Sequence, residues 1–149
     1  MAIMRRVPML LLLLSALHAT HAHAQLLSVS GNPGALNVVG ATPGSNPNSV
    51  SDASTTYTVT VIFRAKIAVS INSAMPSGVT LSVTLAAPPG AVSQGAIALS
   101  TTAQDAVKAI PLGTVLSTRG VTYVLSATAA AGVVASTTRT VTLTLLPDP

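Results

Sequence analysis

Few residues in this chain could carry out chemistry, and they are widely spaced. All three histidines lie within the first 24 residues, and the chain contains neither cysteine nor glutamate. Beyond residue 24, the charged side chains are Arg64, Lys66, Lys108, Arg119, Arg139, Asp52, Asp105 and Asp148. Most enzyme reactions need a group that titrates near neutrality, or a bound metal. We therefore predict that the chain is not an enzyme and has no catalytic, cofactor-binding or metal-ligating residues.

Each reactive residue type also has a simpler structural interpretation. A serine or threonine nucleophile would need Lys66 or Lys108 as its base, and neither lysine completes a Ser-x-x-Lys pattern. Asp105 precedes Lys108 by three residues and is expected to pair with it. Asp52 stands at a strand entry, where aspartate caps turns, and Asp148 is expected to be frayed. A pair of catalytic carboxylates is therefore not expected.

Three weaker patterns suggest binding. Asn46, Asn48 and Asp52 offer oxygens that calcium would accept, although they follow no established loop spacing. The basic pair in Arg64–Lys66 could touch an acidic ligand, but we expect it to protect an exposed strand from pairing. Threonines recur at every second position in two rows, at residues 56, 58 and 60 and at residues 138, 140, 142 and 144. Such rows can bind ice, but outward threonine is also ordinary in strands.

The first 24 residues resemble a secretory leader in their layout. Arg5 and Arg6 precede an apolar run from Val7 to Leu17, and Ala22-His23-Ala24 fits a cleavage site. The run is too short to span a bilayer, which takes roughly 20 residues. We predict a signal peptide over residues 1–24, cleavage after Ala24, and a secreted, cell-surface or periplasmic protein of bacterial type.

The charge of the remaining chain argues against nucleic acid as a partner. Five basic residues stand against three aspartates, which leaves a net charge of +2. Nucleic-acid sites need clustered basic residues, often with stacking aromatic rings. Here the basic residues are scattered and the aromatic residues are only Tyr57, Phe63 and Tyr123. The low charge and high apolar content instead predict a folded chain.

Alternation of apolar and polar residues predicts β-strands along most of the chain. The clear runs cover residues 57–63, 66–71, 79–85, 121–128 and 140–145. Weaker strands are expected at Ala96–Ser100 and Val107–Ile110, and residues 101–107 could instead form one helical turn. Both tyrosines fall on apolar faces and are expected in the core. The Gly-, Pro-, Asn- and Ser-rich residues 25–53 are expected to be loosely packed, with short edge strands such as Ala35–Val39.

These patterns predict an all-β fold. Strands with one apolar face pack as two antiparallel sheets, which here gives a β-sandwich of about seven or eight strands, immunoglobulin-like or a related Greek key. Residues 54–149 would form this sandwich domain. We expect a structural or adhesive role, with strand addition to another copy or to another exported protein, at the N-terminal region or at residues 137–146. The alternative is an accessory domain that binds a glycan or a lipid.

Overall fold

The computed structural model describes residues 25–40 and 44–149, so the predicted leader lies outside the described residues. Nine strands and one short 3-10 turn, at Ala129–Ala131, follow in order. The strands are β1 (Leu26–Ser30), β2 (Val50–Thr60), β3 (Ala65–Ile71), β4 (Val79–Leu85), β5 (Val92–Ser93), β6 (Ile97–Ala98), β7 (Gln104–Ile110), β8 (Ser117–Ala127) and β9 (Val141–Pro147). Within these ranges no helix is long and apolar enough to cross a membrane.

The strands form two antiparallel sheets, which confirms the predicted β-sandwich. The first sheet has the order β1-β2-β8-β4-β6, and the second has the order β5-β7-β3-β9. From β3 onward, each strand belongs to the opposite sheet from the strand that precedes it in the chain. The ladders therefore join distant parts of the chain, as in the pairing of Thr58 with Thr118. Nine strands form where seven or eight were expected, because β5 and β6 are only two residues long and carry little alternation.

The apolar faces of both sheets meet in one core. Tyr57 and Tyr123 lie in it as predicted, at 0 % and 4 % exposure. The other fully or nearly buried apolar side chains are mostly valine, leucine and isoleucine from β2, β3, β4, β7 and β8. The Tyr57 hydroxyl donates to the carbonyl oxygen of Ala86 at 2.6 Å, so this buried polar group is satisfied. Aliphatic packing thus stabilises this small domain without a disulfide, since the chain contains no cysteine.

Two predictions for short segments are wrong. Residues 35–39 form no strand, and in place of ladder bonds Leu36 packs its side chain against the core. Residues 101–107 form no helical turn, because β7 begins at Gln104 and pairs with β3. That pairing buries Ala106 and Val107, which a solvent-exposed helical turn would leave in water.

The apolar face of β2 also ends earlier than the alternation indicates. The strand stops at Thr60, and Val61 is the last residue to enter the core. The chain then turns, so Phe63 is 40 % exposed although the alternation continues to residue 63. Two backbone hydrogen bonds to the β7–β8 loop hold this turn, from Val61 N–H to Thr114 and from Gly113 N–H to Val61.

Asp148 is anchored, which corrects the prediction that it is frayed. Its Oδ2 accepts the N–H of Ala109 at 2.7 Å and lies 3.8 Å from Nε of Arg64. Ala109 has a φ of 55°, at a bulge where the register of β7 against β3 shifts. A bulge leaves a backbone group out of the ladder. The Asp148 carboxylate satisfies that group and fixes the end of β9 to β7.

The Tyr57 hydrogen bond makes a testable contribution to stability. Tyr57→Phe should lower the free energy of unfolding at pH 7 by about 0.5–1.5 kcal/mol, the usual net value of one such bond. Burial raises the pKa of Tyr57 to about 12, against the weaker effect of Arg119. The hydroxyl's contribution is therefore complete below pH 10 and is lost as pH rises towards 12. Urea unfolding followed by circular dichroism gives the difference in the free energy of unfolding between the unmodified protein and Tyr57→Phe. This difference should be smaller at pH 11 than at pH 7. An equal difference at both pH values would contradict the role given to the Tyr57 hydroxyl.

Candidate functional site

The largest ionic cluster lies on the outer face of the second sheet. Asp105 Oδ2 lies 3.1 Å from Lys66 Nζ and 3.2 Å from Lys108 Nζ. Burial alone raises the pKa of Asp105, but hydrogen bonds and charge from both lysines outweigh it and lower that pKa. The predicted pairing of Asp105 with Lys108 is confirmed, and the sequence analysis missed Lys66 because β3 and β7 become neighbours only in the folded sheet. The cluster joins two strands.

The basic pair at Arg64 and Lys66 does not protect a sheet edge, which corrects the prediction. Strand β3, which contains Lys66, lies between β7 and β9 and is therefore internal. Arg64 precedes β3 and faces Asp148 rather than solvent alone. The two side chains thus have different carboxylate partners, and they do not form a shared basic surface.

Two of the three candidate calcium ligands accept hydrogen bonds from backbone N–H groups instead. Asp52 accepts hydrogen bonds from the N–H and hydroxyl of Ser54 at 2.9 and 2.6 Å. These bonds, with a longer one from the N–H of Gly34, lower its pKa despite a smaller opposing effect of burial. Asn46 Oδ1 accepts the N–H of Ala129 at 2.9 Å. Asp52 therefore stabilises a local turn at a bulge of β2, as its position predicted.

The two threonine rows lie on different sheets. Residues 56, 58 and 60 belong to β2 of the first sheet, and residues 142 and 144 belong to β9 of the second. In the first row, Thr58 shares a 2.8 Å hydrogen bond with Thr118, and the Thr60 hydroxyl oxygen accepts the N–H of Leu116. Outer faces of the two sheets of a sandwich point in opposite directions. The rows therefore do not merge into one flat threonine array.

The outermost strands of the two sheets differ in length and protection. The outer strands β5 and β6 have two residues each, whereas β1 has five and β9 has seven. Strand β9 has the sequence VTLTLLP, with no charged residue, and its side away from β3 has no strand partner in the described chain. Long, uncharged edge strands readily accept another strand. The sequence indicated this strand, but only the sheet order shows that it is an edge.

The edge strands β1 and β9 border a cavity between the sheets. It measures about 360 Å³ and is lined by Val29 of β1, by Val141 and Leu143 of β9, and by Thr55, Tyr123 and Arg139 among others. A larger opening of about 880 Å³ continues beyond it, between residues 33–40 and residues 132–139. Leu81 and Leu125 line this opening. The irregular residues 33–40 therefore cover one end of the sandwich.

Large apolar side chains are exposed together on two neighbouring loops. They come from the β2–β3 turn and the β7–β8 loop, which backbone hydrogen bonds join. We call this surface the apolar tip; it consists of Ile62, Phe63, Leu112, Val115 and Leu116. Leu116 has a φ of 44°, an uncommon conformation for leucine. Alternation in the sequence places Phe63 on the same face as Tyr57, Val59 and Val61, so it gives no signal for the tip.

No protein-family model, curated protein or solved structure matches this chain. The exposed edge of β9, the cavity beside it and the apolar tip are therefore the features from which a function has to be inferred.

The ionic cluster predicts a pH-dependent stability. Asp105→Asn should lower the free energy of unfolding by about 0.2–1 kcal/mol at pH 7, because two lysines lose their shared carboxylate. Since folding lowers the pKa of Asp105, this contribution is present above the ordinary carboxyl range and is lost as pH falls through the lowered pKa. Urea unfolding should show that the unmodified protein and Asp105→Asn differ in their free energy of unfolding at pH 7, and that this difference disappears at strongly acidic pH. If the difference persists at strongly acidic pH, packing and not charge accounts for the contribution of Asp105 to stability.

Proposed function

We propose that this chain is an exported, non-catalytic β-sandwich with a structural or adhesive role, which assembles by strand pairing along β9. The observation that supports the proposal is the unpartnered, uncharged, seven-residue edge of β9. Main-chain hydrogen bonds supply affinity in strand addition, so neither an aromatic anchor nor a catalytic group is needed. The scarcity of charge outside the leader fits such a passive contact.

Strand β9 suits pairing better than the other three outer strands. Strands β5 and β6 are too short to offer more than two residues each. Strand β1 is longer but carries two exposed apolar residues, Leu26 and Val29, and Val29 lines the cavity. In β9 the outward threonines Thr142 and Thr144 alternate with half-buried apolar residues, which fixes a single face against the core.

The pairing we propose joins β9 of one copy to β9 of another in antiparallel orientation. This contact is isologous, so it closes as a symmetric pair. It would merge two four-stranded sheets into one continuous sheet of eight strands. A different protein could pair with β9 only if it had a comparable exposed edge strand. The arrangement leaves the apolar tip of both copies free.

Charge added to the middle of β9 should prevent this association. In the symmetric pair, Thr144→Lys places like charges on neighbouring strands, which is unfavourable. We expect the exported, purified protein to show a concentration-dependent dimer by size-exclusion chromatography with light scattering. The variant should remain monomeric at concentrations at least about tenfold higher, a shift of about 1.4 kcal/mol in association free energy.

Thr102→Lys is the matched control for this experiment. Thr102 is exposed in the β6–β7 loop, so the variant has the same added charge outside β9. It should dimerise like the unmodified protein. A monomer at every concentration, or equal loss of association in both variants, would reject pairing through β9.

The apolar tip supports a second candidate function, contact with a lipid surface. Leu112, Val115 and Leu116 are each about two-thirds or more exposed, at 73 %, 68 % and 66 %. A cluster of exposed apolar side chains marks an interaction surface. Arg64 directly follows Phe63 of the tip, and its cationic side chain, 59 % exposed, would favour anionic headgroups. The tip is aliphatic apart from Phe63, which favours lipid over a stacked sugar.

Replacing two tip residues tests the lipid contact. The double variant Leu112→Ser and Val115→Ser should lose most sedimentation with vesicles of phosphatidylglycerol and phosphatidylethanolamine, because the inserted apolar area is removed. Val39→Ser with Val133→Ser removes two apolar side chains elsewhere that are at least as exposed, and this variant should bind as before. Equal binding by all three proteins, or by none, would exclude the tip as a lipid site.

A further inference from the structure

The cavity between β1, β2 and β9 contains polar groups that the protein itself does not satisfy. Thr55 is 1 % exposed, and its Oγ1 has no hydrogen-bond partner. It faces the cavity of about 360 Å³. A buried hydroxyl without a partner costs about 1–3 kcal/mol, so such groups are normally paired. The cavity volume lies at the lower end of the range of small-molecule sites, about 300–1,000 Å³.

Arg139 gives this cavity a positive charge. Its Nη1 donates to the carbonyl oxygen of Thr138 at 3.1 Å, and its Nη2 donates to that of Ala74 at 2.9 Å. These bonds hold the guanidinium while its Nε stays buried and without a partner. Arg139 lines the same cavity as Thr55.

No carboxylate of the chain neutralises Arg139. The chain has only three acidic residues, all within the described ranges. Asp105 pairs with two lysines, Asp148 faces Arg64, and Asp52 accepts bonds from Ser54 and Gly34. A partly buried guanidinium is stabilised by an anion that accepts its hydrogen bonds. The missing negative charge therefore has to come from outside the chain or be replaced by water.

The remaining walls define what kind of anion fits. Tyr123, which is 4 % exposed, also lines the cavity, and the hydroxyl-bearing residues Thr55 and Thr140 lie in the same lining. Val29, Pro33 and Leu143 contribute apolar surface. Neutral hydroxyl donors beside a guanidinium suit a carboxylate, and the apolar wall suits a short hydrocarbon body. A fully hydrated inorganic anion would leave that wall unused.

We propose that this cavity binds a small organic carboxylate, with its oxygens at Arg139 and Thr55 and its hydrocarbon part against Leu143 and Val29. The site is independent of strand pairing, because its ligand contacts the inner faces of the strands, whereas pairing uses the outer edge of β9. The ligand would also link β2 to the entry of β9, since Thr55 lies in β2 of the first sheet and Arg139 lies just before β9 of the second.

The test uses butyrate as the probe and butyramide as its neutral counterpart. Calorimetric titration of the full, exported protein should show saturable butyrate binding with a Kd of about 1 mM, as expected for so small a ligand. Butyramide should bind at least about tenfold more weakly, because it lacks the charge that Arg139 requires. Equal affinity for the two probes, or no binding of butyrate up to about 50 mM, would overturn the proposal and leave water as the occupant.

Two variants locate the site. Arg139→Gln should weaken butyrate binding at least about tenfold, whereas Arg64→Gln should not change it. Arg64 is a suitable control because the whole of β9, about 23 Å of strand, separates its partner Asp148 from Arg139. Retained butyrate affinity in Arg139→Gln would reject the site.

Thr55→Val separates binding from folding. Valine has nearly the same shape and removes an unpartnered hydroxyl, so the thermal midpoint without ligand should be unchanged or higher. Butyrate affinity should nevertheless fall at least about threefold, from the loss of one hydrogen bond. A variant that is equally stable and binds butyrate unchanged would show that the hydroxyl takes no part.

Discussion

Burial of one shared apolar face between two sheets is the interaction on which the rest of this structure depends. The described chain has no disulfide and only three ion pairs, so aliphatic side chains supply most of the stabilisation. Strand β8 is central to this arrangement, because it pairs with β2 on one side and β4 on the other. Its inward residues, Val121 and Tyr123, contact the middle of the core. Loss of this packing would separate the two sheets from each other.

Each of the three aspartates has a structural partner: two accept hydrogen bonds from backbone N–H groups where a strand ladder is interrupted, and the third pairs with lysines. Asp148 accepts a hydrogen bond from the N–H of Ala109 at the bulge of β7, and Asp52 accepts one from the N–H of Ser54 at the bulge of β2. Asp105 instead balances two lysines across β3 and β7. Each acidic residue thus has a structural partner, which explains why so few charges suffice. It also explains why Arg139 stands out, as a partly buried cation beside a cavity with no acidic residue left to meet it.

The edge of β9, the cavity and the apolar tip place three kinds of surface at separate positions. The edge offers main-chain hydrogen bonds, the cavity offers a guanidinium and hydroxyls, and the tip offers aliphatic surface. A protein with a structural or adhesive role can use such surfaces without catalysis, because recognition needs only complementary geometry. The proposed carboxylate would lie between the sheets, against the inner faces of the strands, and would leave the outer edge of β9 free to pair.

The sequence by itself determined the all-β class, the position of most long strands and the burial of both tyrosines, because alternation directly reports which side chains share a face. It also indicated the pairing of Asp105 with Lys108, since three residues is a local distance. Only the tertiary structure decided which strands became edges. The chain changes sheet after almost every strand, and its ladders join residues as distant as Thr58 and Thr118. Local patterns carry no information on such pairings, so the exposed side of β9, the internal place of Lys66 and the meeting of Thr55 with Arg139 at one cavity could not be predicted.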